Sequence, residues 1–275
     1  MRFEIRELGA GGVLDQGIDL VKSHLGLLIG IVLVLQVPAL LLAGLLFTPV
    51  PPDPELLNAP ETAPLFWEQY TQMMTQSAFV AIPSLLIVWP LTNAAVMHAL
   101  ASLYLRRPIS IGGAYRRAFR VWLPTLWTGF LWNCSMLGGF MLCLIPGILC
   151  WLWFALVFQI VVVEGSSGFA AMARSRRLMK GALGDYVVLV VLLFTIAVAL
   201  GMVSGLIPQQ LIRTTVNALI QSALFVFASA AYVVFYFSCR CRHENFDLEM
   251  LARAVAEPGP ESQHSQPAID ERPAI

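Results

Sequence analysis

Apolar residues along this chain gather in six long blocks separated by short polar stretches, without the strict alternation that marks a half-buried strand. The blocks run over 25–47, 78–105, 123–144, 147–163, 186–207 and 218–237. A helix needs ~20 apolar residues to cross a bilayer core, and each block is near or above that length. The pattern predicts an all-α fold, a polytopic bundle of six transmembrane helices. Pro38, Pro83 and Pro90 lie inside blocks and each removes a backbone donor. A kink is expected at each, provided that a neighbouring helix satisfies the freed carbonyl. Between the third and fourth blocks stands only Ile145-Pro146-Gly147, so these two spans must form a tight helical hairpin. Pro146 and Gly147 become candidate structural residues on that account.

The segments before the odd-numbered blocks resemble one another. Leu20-Val21-Lys22-Ser23-His24-Leu25-Gly26, Ala118-Phe119-Arg120-Val121-Trp122-Leu123-Pro124 and Leu178-Met179-Lys180-Gly181-Ala182-Leu183-Gly184 share two apolar residues, a base, two variable positions, leucine, then glycine or proline. Short amphipathic stretches begin upstream near Gly12, Gly112 and Gly168. Such a helix can lie in the membrane interface with its bases at anionic headgroups. One reading is three units, each an interfacial helix followed by a transmembrane hairpin. The other is convergence, since any basic segment before a span looks like this. Between the first two blocks, residues 50–64 are proline-rich, and Phe66, Trp67, Tyr70, Met73 and Met74 then fall at helical spacing. An amphipathic helix on the outer leaflet and a lid over an external cavity both fit. The tail beyond Arg253 is polar and proline-rich, a composition that does not sustain a core.

Composition sharpens the membrane reading. Hydrophobic residues make up 58% and charged residues 12%, about half the charged share of a soluble domain. Formal net charge is zero, so no global field attracts nucleic acid. The distribution is one-sided instead. Of the 17 lysines and arginines, all but Arg213 fall before the first block, in the loops after blocks two and four, or in the tail. The loop 50–77 has no base, only Asp53, Glu55, Glu61 and Glu68. The positive-inside rule then places both termini in the cytoplasm. This divides the chain into a cytoplasmic amphipathic segment (1–24), a transmembrane domain (25–240) and a cytoplasmic tail (241–275). The first block is not a cleavable signal peptide, because it starts some two dozen residues in and lacks a small-x-small site.

Candidate chemistry is sparse. No block interior holds Asp, Glu, Lys or Arg, which weakens an ion-coupled transporter reading. Gln36, Asn93, His98, Asn133, Gln159 and Gln221 are the polar residues within blocks, and interhelical hydrogen bonding is the expected use of each. The five cysteines show no paired spacing. Cys239-Arg240-Cys241-Arg242-His243 offers two thiols and an imidazole, yet fits no common zinc spacing, and a basic anchor beside the membrane reads as well. No Ser/His/Asp set, HExxH, phosphate loop or paired carboxylates are visible, so neither an enzyme, a cofactor nor a metal is expected. Glu164 closes the fourth block just ahead of Arg174, Arg177 and Lys180. These four are candidates for a structural charge pair or a docking site on headgroups or a partner.

Three stretches together resemble a family of bacterial integral membrane proteins similar to the membrane domain that precedes some glycerophosphoryl diester phosphodiesterases. They are Arg6-Glu7-Leu8 through Leu20; Ile145-Pro146-Gly147-Ile148 through Val163-Glu164-Gly165 to Lys180-Gly181; and Tyr236 through Arg240-Cys241-Arg242 and Glu244 to Glu249. The resemblance implies a six-span bundle in a bacterial cytoplasmic membrane and carries no activity, because the phosphodiesterase chemistry resides in a separate soluble barrel. The expectation is a non-enzymatic scaffold or accessory protein. Its partners would be membrane lipids and a membrane or cytoplasmic protein, met through short amphipathic helices on a basic cytoplasmic face. A transporter of a small solute or lipid is the alternative.

Overall fold

The computed structural model of the chain describes residues 8–46, 53, 56, 61–205 and 209–244. Arg2, Arg6, most of the proline-rich stretch 50–64, Arg253, Arg272 and the rest of the tail lie outside the described residues. The regular structure of the described chain is all helical: α1 (Ala10–Leu46), α2 (Ala63–Pro83), a π-turn (Ser84–Val88), α3 (Trp89–Tyr104), α4 (Ile111–Leu142), α5 (Leu144–Trp153), α6 (Val157–Val163), α7 (Gly168–Leu178), α8 (Leu183–Gly205) and α9 (Gln210–Glu244).

Five helical segments are long and apolar enough to cross a membrane: Ala10–Ala39, Ala63–Tyr104, Leu144–Val163, Leu183–Gly205 and Val216–Glu244. The chain is in this respect a multi-pass membrane protein. Helix α4, at 32 residues, is long enough, but Thr125, Thr128, Asn133 and three tryptophans dilute its apolar character. Side chains such as Leu142 (82% exposed), Met141 (80%) and Met202 (71%) project outward, a surface suited to hydrocarbon and not to water.

Several helices are longer than a bilayer needs. At 1.5 Å per residue, α1 and α9 each extend for more than about 50 Å, against a hydrocarbon core of about 30 Å. Their overhangs meet. The N-terminal end of α1 is tied to the C-terminal end of α9 by Leu8 N–H donating to Ser238 Oγ (2.8 Å), which donates back to Leu8 O (3.2 Å). Tyr104, closing α3, donates to Gln16 Oε1 on α1 (3.0 Å) and stacks on Phe237 of α9, with ring centroids 5.2 Å apart. The basic loops and helix ends are thereby gathered at one end of the bundle. A nearly continuous buried core fills that half, from Val13 and Leu20 through Ala95 and Leu100 to Ala118, Met179 and Tyr236. The opposite half is looser. No residue of α2 is buried, and no described residue of α9 is buried before Val226.

The joints between the basic segments and their spans differ. α1 leaves helical geometry at His24 (φ −132°, ψ 24°), where the Ser23 hydroxyl donates to Asp19 O (2.8 Å). α4 runs through Pro124 as a single helix. Between α7 and α8 the chain breaks at 179–182, with Gly181 at φ +86°. The first two segments are thus helical, whereas the third, 178–184, is mostly the break itself, and each is joined to its span by a different device.

Two expectations need correction. The hairpin between the third and fourth blocks is not made by Ile145-Pro146-Gly147. One extended residue, Cys143 (φ −175°, ψ 161°), separates the helices, and those three residues form the first turn of α5. A prolyl residue is readily accepted there, because the first-turn donors of a helix have no partner anyway. The fourth block is also not one helix, since the chain loosens at 154–156 between α5 and α6. Pro83 and Pro90 do distort their helix, and between them the Trp89 N–H reaches back five residues to Ser84 O. Pro90 cannot donate to Leu86 O, and the Trp122 indole on α4 does so instead at 2.9 Å.

Candidate functional site: a charge network at the basic end

The local chain path assembles the site. Gly165 (φ +76°) and Gly168 (φ +63°) hold left-handed conformations that fold α7 back over the end of α6. The Gly168 N–H donates to Thr128 Oγ1 inside α4 (2.8 Å), which anchors the start of α7. Fully buried Ser175, in the middle of α7, accepts from Leu156 N–H (3.2 Å) and donates to Trp153 O (2.8 Å). One hydroxyl therefore satisfies the backbone on both sides of the α5–α6 break. Arg176 stacks over Trp153 at 4.5 Å, and Arg117 of α4 donates to Val162 O (3.1 Å).

These anchors place Arg174 beside Glu164. The guanidinium Nε lies 3.1 Å from Glu164 Oε2 and its Nη2 lies 3.2 Å from Oε1, a forked contact. Arg174 Nη1 also pairs with Glu244 at the end of α9. Glu244 Oε2 in turn accepts from Arg240 Nε (2.9 Å), and Glu164 Oε1 accepts from the buried Tyr236 hydroxyl (2.7 Å). The carboxylates, Glu244 foremost, hold Arg174 still more firmly protonated than an ordinary arginine. Two acids and two bases cancel, so the network is neutral. The side chains of Arg174, Glu164 and Glu244 are 22%, 21% and 28% exposed, enough burial to strengthen the contacts above surface pairs. Nearby, Arg242 donates to Gly181 O (2.8 Å) and to Asp185 Oδ2 (2.9 Å), fixing α9 to the start of α8.

Chemically the network is occupied by itself. Both carboxylates are engaged by arginine, and neither is poised as a base. Among the candidates, the structure joins Glu164 to Arg174 and leaves Arg177 and Lys180 exposed, without an ion pair among the described residues. Pro146 and Gly147 sit at the other end of the bundle and take no part. Gly147 is buried in the α4–α5 hairpin, where a Cβ on Gly139 would come within 2.9 Å of its Cα. Tyr236, Arg240 and Glu244 join the site from outside the candidate set. Their i, i+4, i+8 spacing on a single helix face was the available signal.

Cys239 and Cys241 are both buried and form no disulfide, and two residues apart on a helix they face well away from each other. No cluster of three candidate metal ligands occurs among the described residues. Four of the polar block residues are also not used as expected. Asn133 donates to Gly129 O of its own helix (2.8 Å), buried Gln159 Oε1 has no partner among the described residues, and Gln36 and Gln221 face a cavity. Interhelical bonds come instead from residues such as Tyr104, Tyr115, Trp122 and Thr128.

That cavity, about 840 Å³, opens between α1, the α2–π–α3 segment and α9 in the loosely packed half. Beyond Val32, Thr92 and Phe225 on its wall, the same helices turn to buried residues such as Leu28, Ala95 and Ala230, so the cavity is closed toward the basic end.

Residues 150–257 match a family described as a domain of unknown function, DUF8558. The match takes in every member of the charge network. No curated protein and no solved structure matches the chain.

Proposed function

We propose that this chain is a non-enzymatic membrane scaffold or accessory protein with six spans, α4 supplying the sixth. It acts on anionic lipids or a partner protein through its basic end, which faces the cytoplasm of a bacterium. The observation that carries this reading is the self-satisfied network of Glu164, Arg174, Tyr236, Arg240 and Glu244. It ties α6, α7 and α9 into a fixed platform, while Lys22, Arg116, Arg120, Arg177 and Lys180 stand exposed around it without ion pairs among the described residues. Fixed internal pairs with outward bases suit docking more than turnover. The likeness to the phosphodiesterase-linked membrane domains supports the same reading.

Transport of a small solute or lipid is the second reading, favoured by the cavity. Its closure toward the basic end supports docking over a through-pathway in this conformation. Two measurements separate them. In native mass spectrometry, neutralising Arg116, Arg120, Arg177 and Lys180 to Gln should reduce retained phosphatidylglycerol but leave phosphatidylcholine unchanged. Liposomes holding the purified chain should show no protein-dependent movement of labelled phospholipid or entrapped dye. Such movement would overturn the scaffold reading. Alkaline phosphatase fused within 50–77 should be active and fused after Arg242 inactive, and the reverse result would overturn the orientation.

A further inference from the structure

The cavity in the loose half stands apart from the basic end, and its wall has a definite chemistry. No charged side chain lines it among the described residues. Its surface is mostly hydrocarbon, interrupted by Gln36, Ser84, Thr92, Gln221 and Ser222. Two of these are satisfied within their own helices, Ser84 by Val80 O (2.7 Å) and Ser222 by Ala218 O (2.9 Å). The other three are not. Gln36 and Gln221 make no hydrogen bond among the described residues, and the Thr92 hydroxyl, with Thr92 only 4% exposed, has only the Tyr115 hydroxyl beside it and meets no described group in full hydrogen-bond geometry. The neighbouring Tyr115 hydroxyl gives its proton to Ile31 O (2.6 Å). Tyr115 is thus committed elsewhere, and polar groups at membrane depth that are poorly paired, such as Thr92, Gln36 and Gln221, are costly unless something else enters.

We propose that this cavity is a binding site for a membrane glycerolipid. One acyl chain fills the apolar wall, and the neutral ester and glycerol oxygens meet Thr92, Gln36 and Gln221. The volume lies within the range of small-molecule sites, roughly 300–1,000 Å³. The cavity lies among membrane-spanning segments, so the medium at its mouth is itself lipid. Neutral donors and acceptors without a cation select the uncharged part of the lipid, and the charged headgroup remains outside. The site does not depend on the basic-end reading and is tested at other residues.

The test uses the full chain in liposomes with a phosphatidylglycerol that carries a photoactivatable diazirine on one acyl chain. Labelling of the peptides covering 80–92 and 218–225 should saturate and be competed by unlabelled lipid. Ala218→Trp, which fills the cavity, should abolish it. The near-isosteric Thr92→Val leaves the packing intact and should weaken apparent affinity about three- to tenfold, the effect of one neutral hydrogen bond. Labelling that rises linearly, resists competition and ignores both substitutions would mark only lipid surrounding the bundle and overturn the proposal. So would a wild-type cavity that takes up no label.

Discussion

The two halves of this bundle obey different rules. At the basic end, helices longer than a membrane requires are packed around a buried core and closed by a neutral charge network. At the opposite end, α2 buries nothing, α8 turns most of its side chains outward, and a cavity separates α1 from α9. Apolar contact alone does not distinguish protein from lipid tails, so the membrane-embedded half has little driving force to close. The basic half has polar groups that must be paired and overhanging apolar faces that must be covered. Order there is specified by satisfaction, whereas in the other half it is left to the bilayer.

The comparison breaks most sharply at Arg174, the centre of the network. Arg174→Ala leaves Glu164 and Glu244 facing each other's region without their shared base and should cost about 2–3 kcal/mol in detergent unfolding, reduced from fully buried values because the pair is partly wet. Arg174→Lys should recover less than half, since an ammonium cannot make the forked contact to Glu164 while reaching Glu244. Full recovery by lysine would mean that charge, and not geometry, holds the end together.

Next comes the hairpin of the loose half. Gly139→Ala puts a methyl 2.9 Å from the Gly147 backbone, which must then move, at a cost of about 2 kcal/mol. Gly147→Ala meets the Phe140 ring instead, and that ring is 47% exposed and free to swing, so the loss should stay below about 1 kcal/mol. Equal losses in thermal unfolding would show that the loose half is as tightly constrained as the basic one. Tyr236→Phe, which removes one hydrogen bond to a charged acceptor, falls between the two glycine substitutions. It should cost about 1.5 kcal/mol in wild type and much less in an Arg174→Ala background if the network acts as a unit. Additivity of the two substitutions would argue for independent contacts.

Much of the architecture was legible before any coordinates. Long apolar blocks and the absence of alternation specify membrane helices, because spanning a bilayer demands internal backbone pairing. The Trp122 contact to Leu86 O was legible only as a need, since Pro90 announces a freed carbonyl without naming the group that will fill it. The pair Glu164–Arg174 was readable because ten residues and two glycines separate acid from base. Glu244 was hidden by distance along the chain, although its spacing to Tyr236 and Arg240 pointed to one face.

What the sequence determined by itself is therefore local and periodic: helix, apolar length, the basic character of four segments, and the places where proline or glycine must interrupt. Tertiary structure decided which helix ends meet, that Cys143 and not Ile145-Pro146-Gly147 makes the hairpin, that Gln36 and Gln221 face a cavity, and that Arg174 serves two acids at once. The reason is physical. Hydrophobicity in a membrane fixes where a helix lies but is indifferent to which helix it touches, and that choice falls to a few directional hydrogen bonds between residues far apart in the chain.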